Sequence, residues 1–100
     1  MKTITTDNVK ARLDAGEQLN LIDVREPYEH TDFNIGGILL PLGKIRSMQV
    51  EEIEDLKNSE IILYCRSGNR SGQAALILEQ MGFSDVTNML GGMLDWQLKY

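Results

Sequence analysis

The sequence predicts an α/β fold in which helices cover both faces of a mainly parallel sheet. Short apolar runs, typical of buried strands, alternate along the chain with segments whose apolar residues recur at helical spacing. Two parallel strands need a crossover connection, which is usually a helix, so the alternation favours parallel pairing. The chain has 100 residues, the size of one domain, and we expect a single domain over residues 1–100.

In the first half of the chain, three apolar runs alternate with two helical segments. The first helix is expected to be capped by Thr6 and Asp7 and to stop at Gly16, because glycine tolerates the left-handed conformation that ends many helices. Pro27 suits the first turn of the second helix, where its missing N–H costs nothing. In chain order, the predicted elements are a strand or arm at Thr3–Thr6, a helix up to Gly16, a strand at Leu19–Val24, a short helix at Pro27–His30 and a strand at Ile38–Leu40.

The second half of the chain opens with an acidic segment. Apolar residues at Met48, Val50, Ile53 and Leu56 lie among four acids, which predicts an amphipathic helix from Ser47 onward with its acids in solvent. The remaining predicted elements are the central strand Ile61–Tyr64, a helix that buries Ala74 and Leu78 and stops at Gly82, a strand at Phe83–Asn88 and a terminal helix from Gly92 to Leu98.

Composition and charge exclude several classes of protein. The net charge of −5 argues against nucleic acid or an anionic membrane as the main partner. No apolar run approaches the roughly 18 residues of a membrane span, and the first residues lack the apolar core of a signal peptide, so a cytoplasmic location is expected. The single cysteine excludes an internal disulfide and a multi-cysteine metal site. We expect no metal and no cofactor, and the absence of an obvious exposed apolar stripe predicts a monomer.

The only cysteine, Cys65, follows directly on the predicted central strand. The loop Cys65–Ser71 leads into a predicted helix, whose first N–H groups and dipole favour an anion in front of them. Gly68 allows the loop to curl so that successive N–H groups converge on one point. A thiol in this place is expected to have a lowered pKa and to act as a nucleophile. The alternative is a small buried hydrophobic residue, the commoner role of a lone cysteine.

The cysteine loop is a positive region in an acidic protein. No Asp or Glu lies between Ile61 and Leu78, whereas Arg66 and Arg70 both lie there. Such a region would draw a small anion to the loop. The alternative for the two arginines is ordinary surface charge. Ser71 is expected either to add a hydroxyl donor to the loop or to cap the following helix.

Asp23 and Arg25 follow a predicted strand, at the edge of the sheet that also carries Cys65. In parallel sheets, ligands collect at the carboxyl ends of the strands. We expect Asp23 and Arg25 to support the cysteine loop, with Asp23 accepting a hydrogen bond from a loop arginine or a backbone amide. A strand-end turn is the alternative role for Asp23. His30, the only histidine, is interpreted as a surface residue rather than a base.

Three stretches of the chain form an ordered set of motifs: Leu21–Glu29, Cys65–Ser71, and Gly82–Gly92 with Trp96. They resemble, in that order, the N-terminal signature, the active-site loop and the C-terminal signature of the single-domain rhodaneses, which are modules of the thiosulfate sulfurtransferase type. The likeness covers nearly the whole chain. It implies a rhodanese-like three-layer α/β/α fold with a mainly parallel central sheet.

The resemblance also implies a reaction. The Cys65 thiolate would attack the outer sulfur of a donor such as thiosulfate, release sulfite and hold the sulfur as a persulfide, which cyanide or a thiol acceptor would then remove. A thioredoxin-like or sulfur-relay protein is a candidate partner. The substrate-binding residues would be those of the loop, namely Arg66, Ser67, Gly68, Asn69, Arg70 and Ser71.

One stretch departs from the family's pattern. Rhodaneses usually have Gly-His-Ile-Pro-Gly-Ala before the third strand, whereas this chain has Phe33–Ile38 there, and Pro41 follows about one residue early. The conformation of the segment Phe33–Ile38 is therefore not implied by the resemblance. His30 is likewise assigned no role from the family's histidine.

Two alternatives to an enzymatic sulfurtransferase remain open. A cysteine phosphatase or an arsenate reductase needs a wider cradle with arginine at the seventh loop position, counting the cysteine as the first. In this chain Arg70 is sixth and Ser71 is seventh, which favours sulfur over phosphate. A non-enzymatic persulfide carrier or partner-binding module would use the same loop as the enzyme.

Overall fold

The computed structural model describes residues 1–100 and confirms the α/β prediction. All five strands are parallel, in the order β1-β5-β4-β2-β3. None of the helices has both the length and the apolar composition needed to cross a membrane. The strands are β1 (Lys2–Ile4), β2 (Leu21–Asp23), β3 (Ile38–Leu39), β4 (Glu60–Tyr64) and β5 (Asp85–Met89). The helices are α1 (Thr6–Asp14), α2 (Pro27–Asp32), α3 (Leu42–Arg46), α4 (Asn69–Gln80) and α5 (Gly92–Lys99), with a 3₁₀ helix at Glu51–Leu56.

The side chains of β4 alternate between two layers of the core. Ile61 and Leu63 pack on one face with α3, the 3₁₀ helix and α4. Ile62 and Tyr64 pack on the other face with α1 and α5. Since successive strand residues point to opposite faces, both faces of the sheet are covered, and the three-layer α/β/α architecture is confirmed. Helix α2 buries none of its residues and lies outside both clusters.

The central strand of the sheet is β4, which pairs with β2 on one side and β5 on the other. In the register between β2 and β4, Asp23 lies beside Tyr64. Because all the strands are parallel, their carboxyl ends share one edge. The segments that follow β2, β4 and β5 therefore start close together, and one of them begins with Cys65.

Two helical segments differ from the prediction. Met48 adopts a φ of +60°, so the chain cannot continue as the helix predicted from Ser47. The structure instead has α3, which ends at Arg46, and a separate 3₁₀ helix that begins at Glu51. The expected orientation is correct, because Ile53 is buried and the acids of the 3₁₀ helix are exposed.

The chain enters α1 one residue earlier than predicted. Thr5, rather than Thr6, is the N-cap, and its side chain accepts a hydrogen bond from the Asn8 amide at 3.1 Å. Strand β1 correspondingly ends at Ile4. Gly16 has a φ of +86°, in agreement with the predicted stop of this helix.

Candidate active site

Cys65 directly follows β4, where the alternation of the strand points its side chain toward α4. The preceding residue, Tyr64, belongs to the opposite layer, whereas Cys65 packs in the same cluster as α4. Only 1% of Cys65 is exposed. The sulfur therefore forms the floor of the site rather than part of an open surface.

Three groups of the loop converge on Sγ of Cys65. The Gly68 amide donates a hydrogen bond to the sulfur at 3.1 Å, the Ser71 amide donates one at 3.3 Å, and the Ser71 hydroxyl lies 3.3 Å away. Gly68 has a φ of +100°, in the left-handed region that favours glycine. This turn lets the chain reverse into α4, so that the start of the helix faces the sulfur.

Asn88, near the end of β5, fixes the conformation of the loop. Oγ of Ser71 donates to Oδ1 of Asn88 at 2.5 Å, and Nδ2 of Asn88 donates to the Gly68 carbonyl at 3.1 Å. A hydroxyl has one proton, so Ser71 can donate either to Asn88 or to an ionised Cys65 sulfur. The Ser71 hydroxyl is therefore a donor that can turn to the sulfur when the thiol ionises.

Burial and hydrogen bonding act on Cys65 in opposite directions. Burial raises the pKa of the thiol, but the hydrogen bonds from the Ser71 hydroxyl and from the amides of Ser71 and Gly68 outweigh it, so the pKa lies below its ordinary value. The lowered pKa increases the fraction of thiolate at neutral pH. The thiolate is the nucleophilic form of cysteine.

Further amides of the same loop are available to a ligand. The N–H groups of Arg66, Asn69 and Arg70 make no hydrogen bond within the chain. Asn69 and Arg70 are the first two residues of α4, whose N–H groups have no partner inside the helix. The loop thus offers donors beyond those that already contact the sulfur.

Helix α5 supports the loop through backbone contacts. The Met93 amide donates to the Cys65 carbonyl, and the Leu94 amide donates to the Arg66 carbonyl, both at 2.9 Å. At the start of α5, Gly92 has a φ of +56°, and a Cβ on it would lie 2.5 Å from each of these two carbonyl oxygens. Only glycine allows this close approach, so Gly92 holds the loop against α5.

The two arginines of the loop have different surroundings. Arg70 forms a bidentate ion pair with Glu29 of α2, with Nη1 to Oε1 at 2.8 Å and Nη2 to Oε2 at 3.0 Å. The Arg70 guanidinium lowers the pKa of Glu29 to about 2, so Glu29 is ionised at neutral pH. Arg66 is exposed and forms no ion pair. The positive region expected from the sequence therefore has one unpaired arginine.

Asp23 is fully buried and binds Arg25, not the arginines of the cysteine loop. It accepts hydrogen bonds from Nε and Nη2 of Arg25 at 2.9 and 2.8 Å, and from the Arg25 amide at 3.0 Å. Nδ1 of His30 lies 2.9 Å from Oδ2 of Asp23. Arg25 also donates to the Phe33 carbonyl at 2.7 Å. This network ties the end of β2 to α2 at the edge of the sheet that carries the cysteine loop.

A cavity of about 400 Å³ opens beside the loop, between α2 and α5. Cys65 does not line it, but the next residue, Arg66, does, and Met93 links the cavity wall to the Cys65 carbonyl. The lining combines charges of both signs with an aromatic and a thioether side chain, contributed by Arg25, Arg66, Glu29, Asp32, Tyr28 and Met93.

The motifs and the geometry agree with a comparison against known protein families. A family model described as the rhodanese-like domain matches residues 5–99. The chain belongs to the rhodanese family. A protein of Allochromatium vinosum named "Sulfurtransferase" is 36% identical over 94 residues, and the alignment covers 93% of this rhodanese and 85% of the relative.

A solved structure and a longer relative extend the comparison. The crystal structure of a rhodanese-like domain protein from Staphylococcus aureus superimposes with a TM-score of 0.82 at 31% identity, covering 96% of this rhodanese and 91% of that chain. The protein of Bacillus subtilis named "Putative sulfur carrier protein YrkF" is 37% identical over 94 residues, which is 93% of this rhodanese. The match covers 49% of YrkF, so this rhodanese spans about half the length of that relative.

Three residues that contact the site were not predicted as functional. Asn88 has a signal in the sequence, since it is a polar residue at the end of the predicted strand Phe83–Asn88. Glu29 has no such signal, because its partner Arg70 is 41 residues away. His30 was interpreted as a surface residue, and its side chain is 24% exposed while it also contacts Asp23.

Replacing Ser71 with alanine is expected to raise the pKa of Cys65. The change removes the hydroxyl beside the sulfur and keeps the amide that donates to it. In the native protein, the rate of alkylation by iodoacetamide should reach half its maximum below the ordinary cysteine pKa of about 8.5. In the Ser71→Ala variant the midpoint should move up by roughly half a pH unit or more.

Ser67→Ala is the matched control for this measurement. Ser67 is an exposed residue of the same loop whose hydroxyl contacts neither the sulfur nor Asn88. The pH midpoint of alkylation in the Ser67→Ala variant should equal that of the native protein. An unchanged midpoint in Ser71→Ala would show that the Ser71 hydroxyl does not stabilise the thiolate.

Proposed function

We propose that this rhodanese is a sulfurtransferase that carries sulfane sulfur as a persulfide on Cys65. The observation that supports the proposal is the convergence of the Gly68 and Ser71 amides on Sγ of Cys65 at the start of α4. Donors fixed in this way stabilise a sulfur anion without having to reorganise. The name of the Allochromatium relative is in line with this chemistry.

In the first step, the Cys65 thiolate attacks the outer sulfur of a donor such as thiosulfate. A bond forms between Sγ and the outer sulfur, the S–S bond of thiosulfate breaks, and sulfite leaves with the electron pair of that bond. Thiosulfate and sulfite are both dianions and the thiolate becomes a persulfide anion, so charge is conserved and no oxidant is needed. This is covalent catalysis by an activated nucleophile.

In the second step, an acceptor removes the sulfur. Cyanide or the thiolate of an acceptor attacks the outer sulfur of the persulfide, the S–S bond breaks, and Cys65 leaves as a thiolate. The amides of Arg66, Asn69 and Arg70, which have no partner within the chain, are the donors available to the charge on the outer sulfur. Exposed Arg66 is available to attract an anionic donor.

A cysteine phosphatase or an arsenate reductase is disfavoured by the position of Arg70. Both Nη atoms of this arginine bind Glu29, so it does not offer a bidentate grip to a tetrahedral oxyanion. The loop also has arginine at its sixth rather than its seventh position. Phosphate transfer therefore lacks the clamp on which it depends.

A persulfide carrier that serves a protein partner is the second candidate function. It is supported by the name of YrkF, which this chain matches over 93% of its length. A free, unpaired cysteine suits a reducing compartment such as the cytoplasm, where thiol proteins act as acceptors. Comparing cyanide and small thiols with thioredoxin-like or sulfur-relay proteins as acceptors separates an enzyme with a small acceptor from a relay component.

Incubation with thiosulfate is expected to add the mass of one sulfur atom to the protein, and cyanide should then remove it. Because Cys65 is the only cysteine, the added sulfur has one thiol on which to reside. Intact-protein mass spectrometry measures both changes. Protein alkylated at Cys65 beforehand is the control and should gain nothing. An unchanged mass in the unmodified protein, with thiosulfate and with other sulfane sulfur donors, would contradict the proposal.

A further inference from the structure

We infer that Glu29 sets the charge of the donor that the site accepts, favouring sulfane sulfur donors with a single negative charge over dianions such as thiosulfate. The inference rests on the proposed sulfur transfer at Cys65 and concerns which class of donor supplies it. Its basis is the ion pair between Glu29 and Arg70, together with the charges around the adjoining cavity.

The charge of Arg70 is cancelled by its partner. Both carboxylate oxygens of Glu29 bind the guanidinium. Only 14% of the Glu29 side chain is exposed to solvent. A bidentate arginine–carboxylate pair is strong and directional. The arginine that the cysteine loop contributes at its sixth position therefore adds little net positive charge to the site.

The remaining charges of the cavity do not restore a positive field. Arg25 is bound to buried Asp23, which cancels its charge. The lining also holds exposed Arg66 and one acid that pairs with no cation, Asp32, so these two residues together add no net charge. The cavity is thus nearly neutral overall, in contrast to the positive region that the sequence alone suggests.

A neutral cavity has a consequence for a donor that must reach a thiolate. The nucleophile is negative, so the repulsion that it exerts on a donor doubles when the donor's charge goes from −1 to −2. The loop amides offset part of this repulsion for either donor. By pairing with Arg70, Glu29 removes the attraction that this arginine would exert on a donor, and the attraction removed is twice as large for the dianion as for the monoanion.

The rest of the cavity lining suits a donor with an organic group. A volume of about 400 Å³ lies within the range of pockets that hold small organic ligands. Tyr28 and Met93 give that wall an apolar component. Organic thiosulfonates and organic persulfides combine a single negative charge at the reacting end with such a group, and they are the donor class we assign to this site.

A substitution of Glu29 by glutamine removes the charge with little change in the size of the side chain. Glu29 also takes part in the N-terminal capping of α2, because its Oε1 accepts a hydrogen bond from the Glu26 amide at 3.0 Å. Glutamine keeps one oxygen, which can accept from the Glu26 amide and from Nη1 of Arg70, but it places an amide NH2 group where Oε2 accepts from Nη2. The change therefore removes the negative charge together with one of the two hydrogen bonds to Arg70. Glu26→Gln is the matched control. It is the same change at the N-cap of the same helix, an exposed residue that pairs with no arginine and does not line the cavity.

The experiment compares two donors that differ in charge, thiosulfate and methanethiosulfonate. With the second donor, the Cys65 thiolate attacks the outer sulfur, the S–S bond breaks, and methanesulfinate leaves with the electron pair. Thiocyanate formation with cyanide as acceptor gives kcat/KM for each donor. The ratio of the two kcat/KM values cancels any effect on Cys65 that is common to both.

Glu29→Gln should raise the ratio of thiosulfate to methanethiosulfonate kcat/KM by about fivefold, and added salt should reduce the gain. Glu26→Gln should leave the ratio within about twofold of the native value. An unchanged ratio in Glu29→Gln, an equal loss with both donors, or an equal shift in Glu26→Gln would overturn the inference. In those cases sulfur loading of Cys65 would still be seen by mass. Absence of loading with both donors would instead overturn the proposed function and this inference with it.

Discussion

Replacing Cys65 with serine is expected to abolish sulfur transfer while leaving the fold intact. A serine hydroxyl does not ionise at neutral pH and forms no persulfide, so turnover of thiosulfate should fall by at least about 10³-fold. Thiocyanate formation with cyanide as acceptor measures the loss. The mass gain on incubation with thiosulfate should disappear in the same variant.

The structure indicates why this substitution should not unfold the protein. Serine has nearly the shape of cysteine, and its oxygen can accept the hydrogen bonds that the Gly68 and Ser71 amides donate to the sulfur. Circular dichroism and the melting temperature check that the fold survives. Native-like turnover in a folded Cys65→Ser variant would show that sulfur transfer does not pass through this residue.

Replacing Gly92 with alanine is expected to be the most destabilising single methyl addition at the site. The new Cβ would lie 2.5 Å from the carbonyl oxygens of Cys65 and Arg66, and the residue has a φ of +56°. Steric overlap with backbone and an unfavourable φ should together lower the free energy of unfolding by at least about 3 kcal/mol. For a domain of this size, that corresponds to a fall in melting temperature of roughly 12 °C or more.

Two other glycines separate the causes of this loss. Gly82 has a φ of +101° but no atom near its would-be Cβ, so Gly82→Ala should cost only the conformational term of about 1 kcal/mol. Gly43 lies inside α3 in open space without a positive φ, and Gly43→Ala should be neutral or slightly stabilising. A Gly92→Ala variant as stable as Gly82→Ala would refute the close-packing argument. Sulfur transfer in any folded Gly92→Ala protein should also be impaired, because the loop rests on this contact.

The strands and the largest helix of the fold could be predicted from local patterns. The apolar run Ile61–Tyr64 is the buried central strand, and α4 ends beside Gly82 as expected. These elements are buried on the faces where their apolar residues lie. The spacing of the apolar residues along the chain is therefore enough to predict the type of each element. The order of the strands in the sheet could not be predicted in this way, because it depends on contacts between segments far apart in the chain.

The region around Met48 shows where local patterns are insufficient. Its apolar and acidic residues fit a helix, yet the φ of +60° at Met48 divides the segment into α3 and the 3₁₀ helix. Gly43 also lies inside α3, where glycine is an unfavourable residue. Burial of Leu42 and Ile45 against the α4 layer outweighs that local preference.

The same limit applies to the candidate site. Cys65, Gly68 and Ser71 lie within seven residues of each other, and their convergence on one sulfur could be expected from the loop itself. The pairing of Glu29 with Arg70 brings together residues 41 positions apart, so it depends on how α2 packs over the loop. The net charge of the site was therefore not predictable, although the donors that surround the Cys65 sulfur were.

The two sides of the site rest on elements that differ in how readily they open. Strand β4, which presents Cys65, is paired on both edges and buried on both faces, and its amides should exchange with solvent only when the whole molecule unfolds. Helix α2, which presents Glu29, has six residues and buries none of them, so it can detach locally while the core stays folded. Cys65 is thus held by a strand that should open only with the whole fold, whereas the carboxylate that pairs with Arg70 lies on a helix that should open at a lower free energy.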